Sequence, residues 1–345
     1  MTDRWIVLSD GARPTEDIYF LESAAPSLRC SGGEVSRLET RRWRVPLALS
    51  AALALRRLAG ANLIICRALA PAWLRLLERH RGVVGRICYL VDDDIPAAMD
   101  DATLPASYRA RMARVASLQP RLLALADEVV VSSEALAARF AGRHPRVSVL
   151  TPPLLAPLPA LTHFDRRPDA AAPWWVGYHG TRAHLPDLSR VAPALVDLHD
   201  ATDSVGFEVM LGQHTPAELG ALARCTAPSP LPWSRFRDYQ RQRRIHIGLA
   251  PLLDTPFNRG KSFIKFLDIA AMGGVGIYSR RLPYTEIVED GVNGLLADDS
   301  PEDWYRCLTR LLDHPQEAGR MARAAADTAR RVGEAGGAVA FWRAR

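Results

Sequence analysis

Short runs of β-branched and aliphatic residues alternate with longer Ala/Leu/Arg-rich stretches along the whole chain, and this alternation constrains the fold more than any other feature. A short apolar run suits a strand buried on both faces, and the stretch that follows suits a helix crossing back over the sheet. Repeated, the pattern predicts parallel strands with crossover helices, hence an α/β class. In the first half, strands are expected at Trp5–Ser9, Asn62–Cys66, Arg86–Val91, Glu128–Ser132 and Val147–Leu150, with helices near 46–59, 71–80, 107–126 and 133–141. Then TPPLLAPLPALTHF brings Pro152, Pro153, Pro157 and Pro159 close together, with Pro168 and Pro173 beyond. Proline lacks the N–H that helices and sheets need, so residues 156–173 read as a linker. The pattern restarts at Trp174–Tyr178, turns through HGT, and continues with a helix after Pro186 and strands Phe207–Leu211, Ile245–Ala250 and Val275–Tyr278. Helices are expected near 261–272, 301–313, 315–331 and 334–345. The expected organisation is two doubly wound domains, 1–155 and 174–331, facing each other across a cleft, with 332–345 placed to return toward the first.

At 345 residues with 48% apolar content, the chain has enough material for two cores. The longest apolar stretch, Val45–Leu55, is too short to span a bilayer, and the N-terminus opens a strand rather than a signal peptide, so a cytoplasmic location is expected. Five cysteines, Cys30, Cys66, Cys88, Cys225 and Cys307, show no metal-ligand spacing and read as small apolar residues, with neither disulfide nor zinc expected. The net charge of +6 is concentrated in residues 1–150, which carry 21 Arg against 16 Asp plus Glu. Arg41, Arg42 and Arg44 precede PLALSAALAL, and Arg56 and Arg57 follow it. Such a segment fits a helix lying on an anionic membrane, which would place the protein at the inner face, and equally an Arg-bracketed core helix. The basic residues show no aromatic interleaving and no recognised module, so no nucleic-acid partner is expected.

Of 44 basic residues only Lys261 and Lys265 are lysine, both inside FNRGKSFIKFLDIAAMGG. A compact ammonium suits a phosphate oxygen, whereas arginine's planar fork asks for another geometry. If Lys261 opens a helix, Lys265 and Asp268 share its face, and the helix N-terminus adds unpaired N–H groups, which together make an anion site. The alternative is a solvent-facing stripe with a Lys265–Asp268 pair. In GYHGT, Gly177 and Gly180 bracket His179 at a strand end, so a turn there brings the Gly180 and Thr181 N–H groups toward a phosphate. His179 either polarises a leaving group or acts as a structural hydrogen-bonder. Asp92, Asp93 and Asp94 follow the strand RICYLV, where adjacent like charges raise one another's pKa and would suit a general base for a hydroxyl. A Mg²⁺ or Mn²⁺ site, or a cap for the segment beginning IPAAM, are the other readings of this triplet. RGKS is not a P-loop, because the glycine expected five residues before Gly260 is Thr255.

The run from about Ile245 to Ala325, with KSFIKFLDIAAMGGVGIYSRRLPYTEIVEDGVNGLL at its centre, resembles the C-terminal half of GT-B fold glycosyltransferases of the broad group-one type. VGYHGTRAHLPDL is similar to the opening of their donor domain, and ADEVVVSSEALAARF to the last strand–helix unit of their acceptor domain. The resemblance implies two Rossmann-like domains and transfer of a sugar, with retention, from a nucleotide-activated donor to a hydroxyl of a glycan or lipid-linked glycan. It also implies no metal and no cofactor, and a place in polysaccharide biosynthesis. A nucleoside-diphosphate sugar needs cations at its pyrophosphate and an acceptor for its ribose hydroxyls. The resemblance gives the first task to Lys261, Ser262 and Lys265, with Gly260 allowing close approach and Asn258 beside them, and the second to Asp268. The family usually has two glutamates eight residues apart here, where this chain has Gly260 and Asp268. Its usual Arg and Lys pair after the first donor-domain strand is also absent, Arg182 and His184 being the nearest candidates. These departures keep open a non-catalytic protein that binds nucleotide-sugar or glycan in a degenerate site.

Overall fold

The computed structural model describes residues 4–43 and 46–345 and contains two six-stranded sheets in which every strand pair is parallel. The first holds β1 (Arg4–Ser9), β2 (Glu34–Glu39), β3 (Asn62–Cys66), β4 (Ile87–Val91), β5 (Glu128–Val131) and β6 (Val147–Val149) in the order β2-β1-β3-β4-β5-β6. The second holds β7 (Trp174–Tyr178), β8 (Val205–Val209), β9 (Cys225–Thr226), β10 (Ile247–Ala250), β11 (Val275–Ser279) and β12 (Leu295–Ala297) in the order β12-β11-β10-β7-β8-β9. Each sheet thus reverses direction once, between β1 and β3 in the first and between β7 and β10 in the second. Crossovers leave a crevice beyond the carboxyl ends of the strands at such a reversal, and ligands of doubly wound sheets bind there.

The central strands are apolar on both faces, as in ICYLV and EVVV, and helices cover them from both sides. Three strands depart from the expectation. β2 reads EVSRLE, lies at the sheet edge and buries only one residue, so no apolar run marks it. β9 and β12 are also edge strands, two and three residues long, below the length at which a periodic signal forms. The Arg-bracketed segment forms the helix Leu47–Leu58, which buries Ala54 and Leu58 and leaves Leu49 and Leu53 exposed at 82% and 60%. Arg44 and Val45, part of that expectation, lie outside the described residues.

Between the sheets, residues 151–173 contain one 3-10 turn, Thr162–Phe164. The chain's last helix, Ala335–Arg343, leaves the second domain and packs on the first. Trp342 meets Trp5 and Phe20 edge-on, with ring centroids 5.5 and 5.1 Å away, and its indole N–H donates to the Tyr19 carbonyl at 2.7 Å. Arg345 donates twice to Glu128 of β5, at 3.0 and 2.6 Å. The crossing back is pinned where the Leu154 N–H donates to the Gly333 carbonyl at 2.8 Å. Truncating a buried Trp removes its contacts and leaves a cavity, a loss of about 3–5 kcal/mol. Trp342→Ala is therefore expected to lower the denaturant midpoint of the N-terminal domain, a fluorescence- or exchange-resolved measurement, while the C-terminal domain unfolds as before.

Candidate active site

A cavity of about 800 Å³ lies between the domains, over the reversal points of both sheets. The turn after β1 reaches it through Gly11, whose φ of 104° lies in the left-handed region that favours glycine. Arg67 enters from the end of β3, Asp92 and Asp93 from the end of β4, His179 to His184 from the end of β7, and Pro251 and Leu252 from the end of β10. The wall carries five cations, Arg67, Arg111, Arg182, Lys261 and Lys265, against the carboxylates of Asp92, Asp93 and Asp268. That excess suits an anionic ligand.

Arg67 gave no signal in the sequence beyond its position after an apolar strand. It is the one non-glycine described residue with a left-handed backbone, φ 57°, a conformation concentrated at functional sites. Its guanidinium binds Asp92 through Nε and through Nη2, the latter at 2.6 Å, and reaches Asp93 at 3.0 Å. Burial would lower its pKa, yet Asp92 and Asp93 beside it raise it well above the ordinary value. Asp92 also accepts from the Thr15 hydroxyl at 2.7 Å.

The aspartate triplet does not behave as one group. Asp93 is buried and accepts from the Lys261 ammonium at 2.5 Å. Burial alone would raise its pKa, but Arg67 and Lys261 overcome that and bring it down to about 2, the reverse of the elevated base expected from adjacent like charges. Asp94 is the helix cap: it accepts from the Ala97 N–H at 3.1 Å at the start of the helix Ile95–Asp100, pairs with Arg139 at 2.8 Å, and is absent from the cavity wall. Among the described residues, no group of three or more His, Cys, Asp or Glu is placed to hold a metal ion.

The lysine region differs from the expected single helix. A short helix, Pro256–Arg259, ends at Gly260, and the next, Ile264–Ala271, begins after Lys261 and Ser262, so Lys261 does not share its face with Lys265 and Asp268. Lys261 instead sits 4.0 Å from the centroid of the Phe257 ring and reaches across the cleft to Asp93. Ser262 accepts from the Tyr19 hydroxyl of the first domain at 3.3 Å. Lys265 and Asp268 pair at 3.1 Å on the cavity wall, and Gln240 holds the other carboxylate oxygen of Asp268 at 2.9 Å. Two of the expected donor-binding residues lie off the wall, as Asp94 does. Asn258 is buried, donating to Asp187 at 3.0 Å and to the Leu253 carbonyl at 3.1 Å, which shapes the loop rather than meeting a ligand. Gly260 accepts from the Ser133 hydroxyl at 3.1 Å, and a Cβ there would stand 3.2 Å from that of Asp94. A glutamate in its place would press on the other domain, so the glycine is a point of domain contact.

The loop after β7 is on the wall. Gly180 is required, since a Cβ there would fall 2.5 Å from the Tyr178 hydroxyl. Thr181 and Arg182 are exposed at the rim. The His179 side chain is 4% exposed, with Nε2 2.7 Å from Glu208, an arrangement that suits the structural hydrogen-bonder reading. Burial would raise the pKa of Glu208, but His179, Tyr239 and Arg243 together hold it lower. His184 is 20% exposed and its Nδ1 lies 2.7 Å from buried Asp187. Asp187 and Glu208 escaped the sequence reading, Asp187 because nothing distinguishes it within VGYHGTRAHLPDL and Glu208 because it lies inside a strand with no motif around it.

No protein-family model matches this chain, and no curated protein matches it by sequence. Solved structures do match in three dimensions. Sucrose-phosphate synthase from Thermosynechococcus elongatus superposes with a TM-score of 0.69 at 13% identity, over 99% of this chain and 98% of that one. HepE of Anabaena, solved with UDP and glucose, gives 0.68 at 11% identity, over 99% and 98%. A glycosyltransferase from Rickettsia africae gives 0.61 at 10% identity, over 99% and 97%. With two parallel six-stranded sheets facing one cleft, and end-to-end likeness to these proteins, the chain has the GT-B glycosyltransferase fold.

Proposed function

We propose that this protein transfers a sugar from a nucleotide-activated donor to a hydroxyl of a glycan or lipid-linked glycan. The observation that carries the reading is the cation-rich cleft at the reversal points of both sheets. A fold counterpart solved with UDP-glucose, HepE of Anabaena, supports a nucleotide-sugar as the donor. The donor's diphosphate would lie along Lys265 and the start of its helix, which has no side-chain cap, where ammonium and open N–H groups meet the charge that develops on the leaving phosphate. Asp268 would accept ribose hydroxyls. A carboxylate has roughly four lone-pair sites, and among the described residues Gln240 and Lys265 are the side chains hydrogen-bonded to this one. The acceptor would enter beside Arg67, Asp92 and Tyr108 of the first domain. Retention at the anomeric carbon, a role in polysaccharide biosynthesis and a cytoplasmic location rest on the resemblance and the sequence. Contact with the inner face of a membrane would use exposed Leu49 and Leu53 with Arg56 and Arg57 beside them. No helix among the described residues is long and apolar enough to cross a membrane.

A second reading, a nucleotide-sugar-binding protein without turnover, is favoured by one observation: Gly260, where the resemblance leads one to expect a glutamate, is committed to domain contact. Slow hydrolysis of a nucleotide-sugar without acceptor, releasing nucleoside diphosphate, separates the two. A transferase leaks this activity, and a binder releases nothing above the buffer rate.

Two mutational tests follow from the site. Lys265→Ala, which removes a charge-assisted contact to phosphate, should weaken nucleoside-diphosphate binding by on the order of 1.5–3 kcal/mol in calorimetry with the fold intact. Asp92→Asn should reduce transfer strongly while nucleotide affinity holds. Asp94→Ala should do the opposite, losing roughly 1 kcal/mol of stability and little turnover. Normal transfer by Asp92→Asn would remove Asp92 from the chemistry.

A further inference from the structure

The helix Ala106–Leu125 begins at the cleft, where Ser107, Tyr108 and Arg111 of its first turns lie on the cavity wall, and its later residues continue beyond it. Its sequence, ASYRARMARVASLQPRLLAL, carries four arginines and no acidic residue. At about 3.6 residues per turn, Arg111, Arg114 and Arg121 fall on one face, while Arg109 lies half-buried on another. A rise of about 1.5 Å per residue makes this row roughly 15 Å long, starting at the cavity.

Arg111 and Arg114 are exposed, and among the described residues neither makes a hydrogen bond or an ion pair. Arg111 is nevertheless held in place, its guanidinium carbon 4.8 Å from the centroid of the Tyr108 ring. Stacking on a ring fixes the guanidinium and leaves its N–H donors open. Farther along, Arg121 donates twice to Glu78 at 2.9 and 2.6 Å, and Arg75 of the neighbouring helix Pro71–Arg79 adds positive field at that carboxylate. Inside the cleft the charges are largely balanced: Asp92 and Asp93 hold Arg67 and Lys261, and Asp268 holds Lys265. Arg111 is thus the open cation on the first domain's part of the wall. The helix presents no exposed large apolar side chain, unlike Leu47–Leu58 with Leu49 and Leu53, so its basic face suits a hydrated anion rather than the apolar edge of a bilayer.

We infer that this helix is the docking track for an acidic acceptor, a glycan bearing carboxylate or phosphate groups that lies along Arg111, Arg114 and Arg121 while its terminal hydroxyl reaches Asp92 in the cleft. This rests on the transferase reading above and names the class of its acceptor. The planar fork of arginine meets a carboxylate or a phosphate through two parallel hydrogen bonds. One exposed ion pair contributes little, so the affinity comes from the row and falls as salt screens it.

Calorimetry on the full chain at low salt tests it, with hexagalacturonate, phosphopentamannose and neutral maltohexaose as probes. At least one anionic probe should bind roughly tenfold or more tightly than maltohexaose, and the tighter of the two tells carboxylate from phosphate. Arg111→Gln and Arg114→Gln should each weaken that probe about threefold, and the double variant roughly tenfold. Arg114 lies off the cavity wall, so Arg114→Gln should leave nucleoside-diphosphate affinity unchanged. The double change Arg320→Gln and Arg323→Gln, at the same spacing on the helix Pro315–Val332, should weaken nothing. In wild type the bound probe should also shield Arg111 and Arg114 from phenylglyoxal, read by mass spectrometry, while Arg320 and Arg323 stay reactive. Equal affinity for all three probes, or equal losses in the two double variants, would overturn the inference and leave the proposed function standing. Binding to vesicles of phosphatidylglycerol and phosphatidylcholine in equal parts, lost in the Arg111 and Arg114 double variant and with no anionic glycan bound, would overturn it in favour of a membrane surface. Absence of nucleoside-diphosphate binding in wild type, with the anionic probe bound as stated, would instead overturn the proposed function and with it the role of this helix in presenting an acceptor.

Discussion

Lys261 reaching over the cleft to Asp93 is the interaction on which the rest of the site depends. Asp93 is buried at the end of β4, where an unpaired carboxylate would be strongly disfavoured, and two cations make it tolerable, Arg67 from its own domain and Lys261 from the other. Withdrawing one partner from such a cluster typically destabilises by about 3–5 kcal/mol. The cluster therefore sets the position of one domain against the other as well as the floor of the cleft. It also accounts for a lysine at position 261 of an arginine-rich chain. The ammonium fits between the Asp93 carboxylate and the Phe257 ring, 4.0 Å from the ring centroid, where a planar guanidinium would need a wider slot.

The domain arrangement has further supports, some beside the cavity and one behind it. Tyr19 and Ser133 of the first domain bond Ser262 and Gly260 of the second, and Glu22 receives Trp233 and Arg237. Behind the cleft, the last helix carries Trp342 back into the core of the first domain. A ligand entering the cavity thus meets walls that are already fixed, which lowers the ordering cost of binding. With Lys261 and Arg67 held by the aspartates, Arg111, Arg182, Lys265 beside Asp268 and the open start of the helix Ile264–Ala271 are the positive groups of the wall left to meet phosphate.

The sequence revealed the α/β class and the doubly wound plan because β3, β4, β5, β7 and β11 are buried on both faces and so read as unbroken apolar runs. It hid β2, where exposed Glu34 and Ser36, and Arg37 turned to Glu16 and Asp17, disguise an edge strand. The site was legible as positions at strand ends and only partly as roles. Three consecutive aspartates look alike in sequence, yet leaving β4 they diverge: Asp92 and Asp93 turn toward Arg67 and Asp94 toward the next helix. The expected elevation failed at Asp93 because the opposing cations are Arg67 and Lys261, the latter 168 residues away in the chain. Gly260 read as room for a ligand, whereas the space beside it is filled by Asp94 of the other domain, a long-range contact no local pattern reports.

The central claim is that this cleft is built for a nucleoside diphosphate, and thermal stabilisation by a nucleotide series tests it most directly. Ligand at about one hundred times its dissociation constant adds roughly 2.7 kcal/mol to the folded state, a readily measured rise in melting temperature. The account predicts that one nucleoside diphosphate, or its sugar ester, raises the melting temperature by several degrees, and that its monophosphate and nucleoside raise it progressively less. A melting temperature indifferent to every diphosphate, or equally raised by the bare nucleoside, would contradict it.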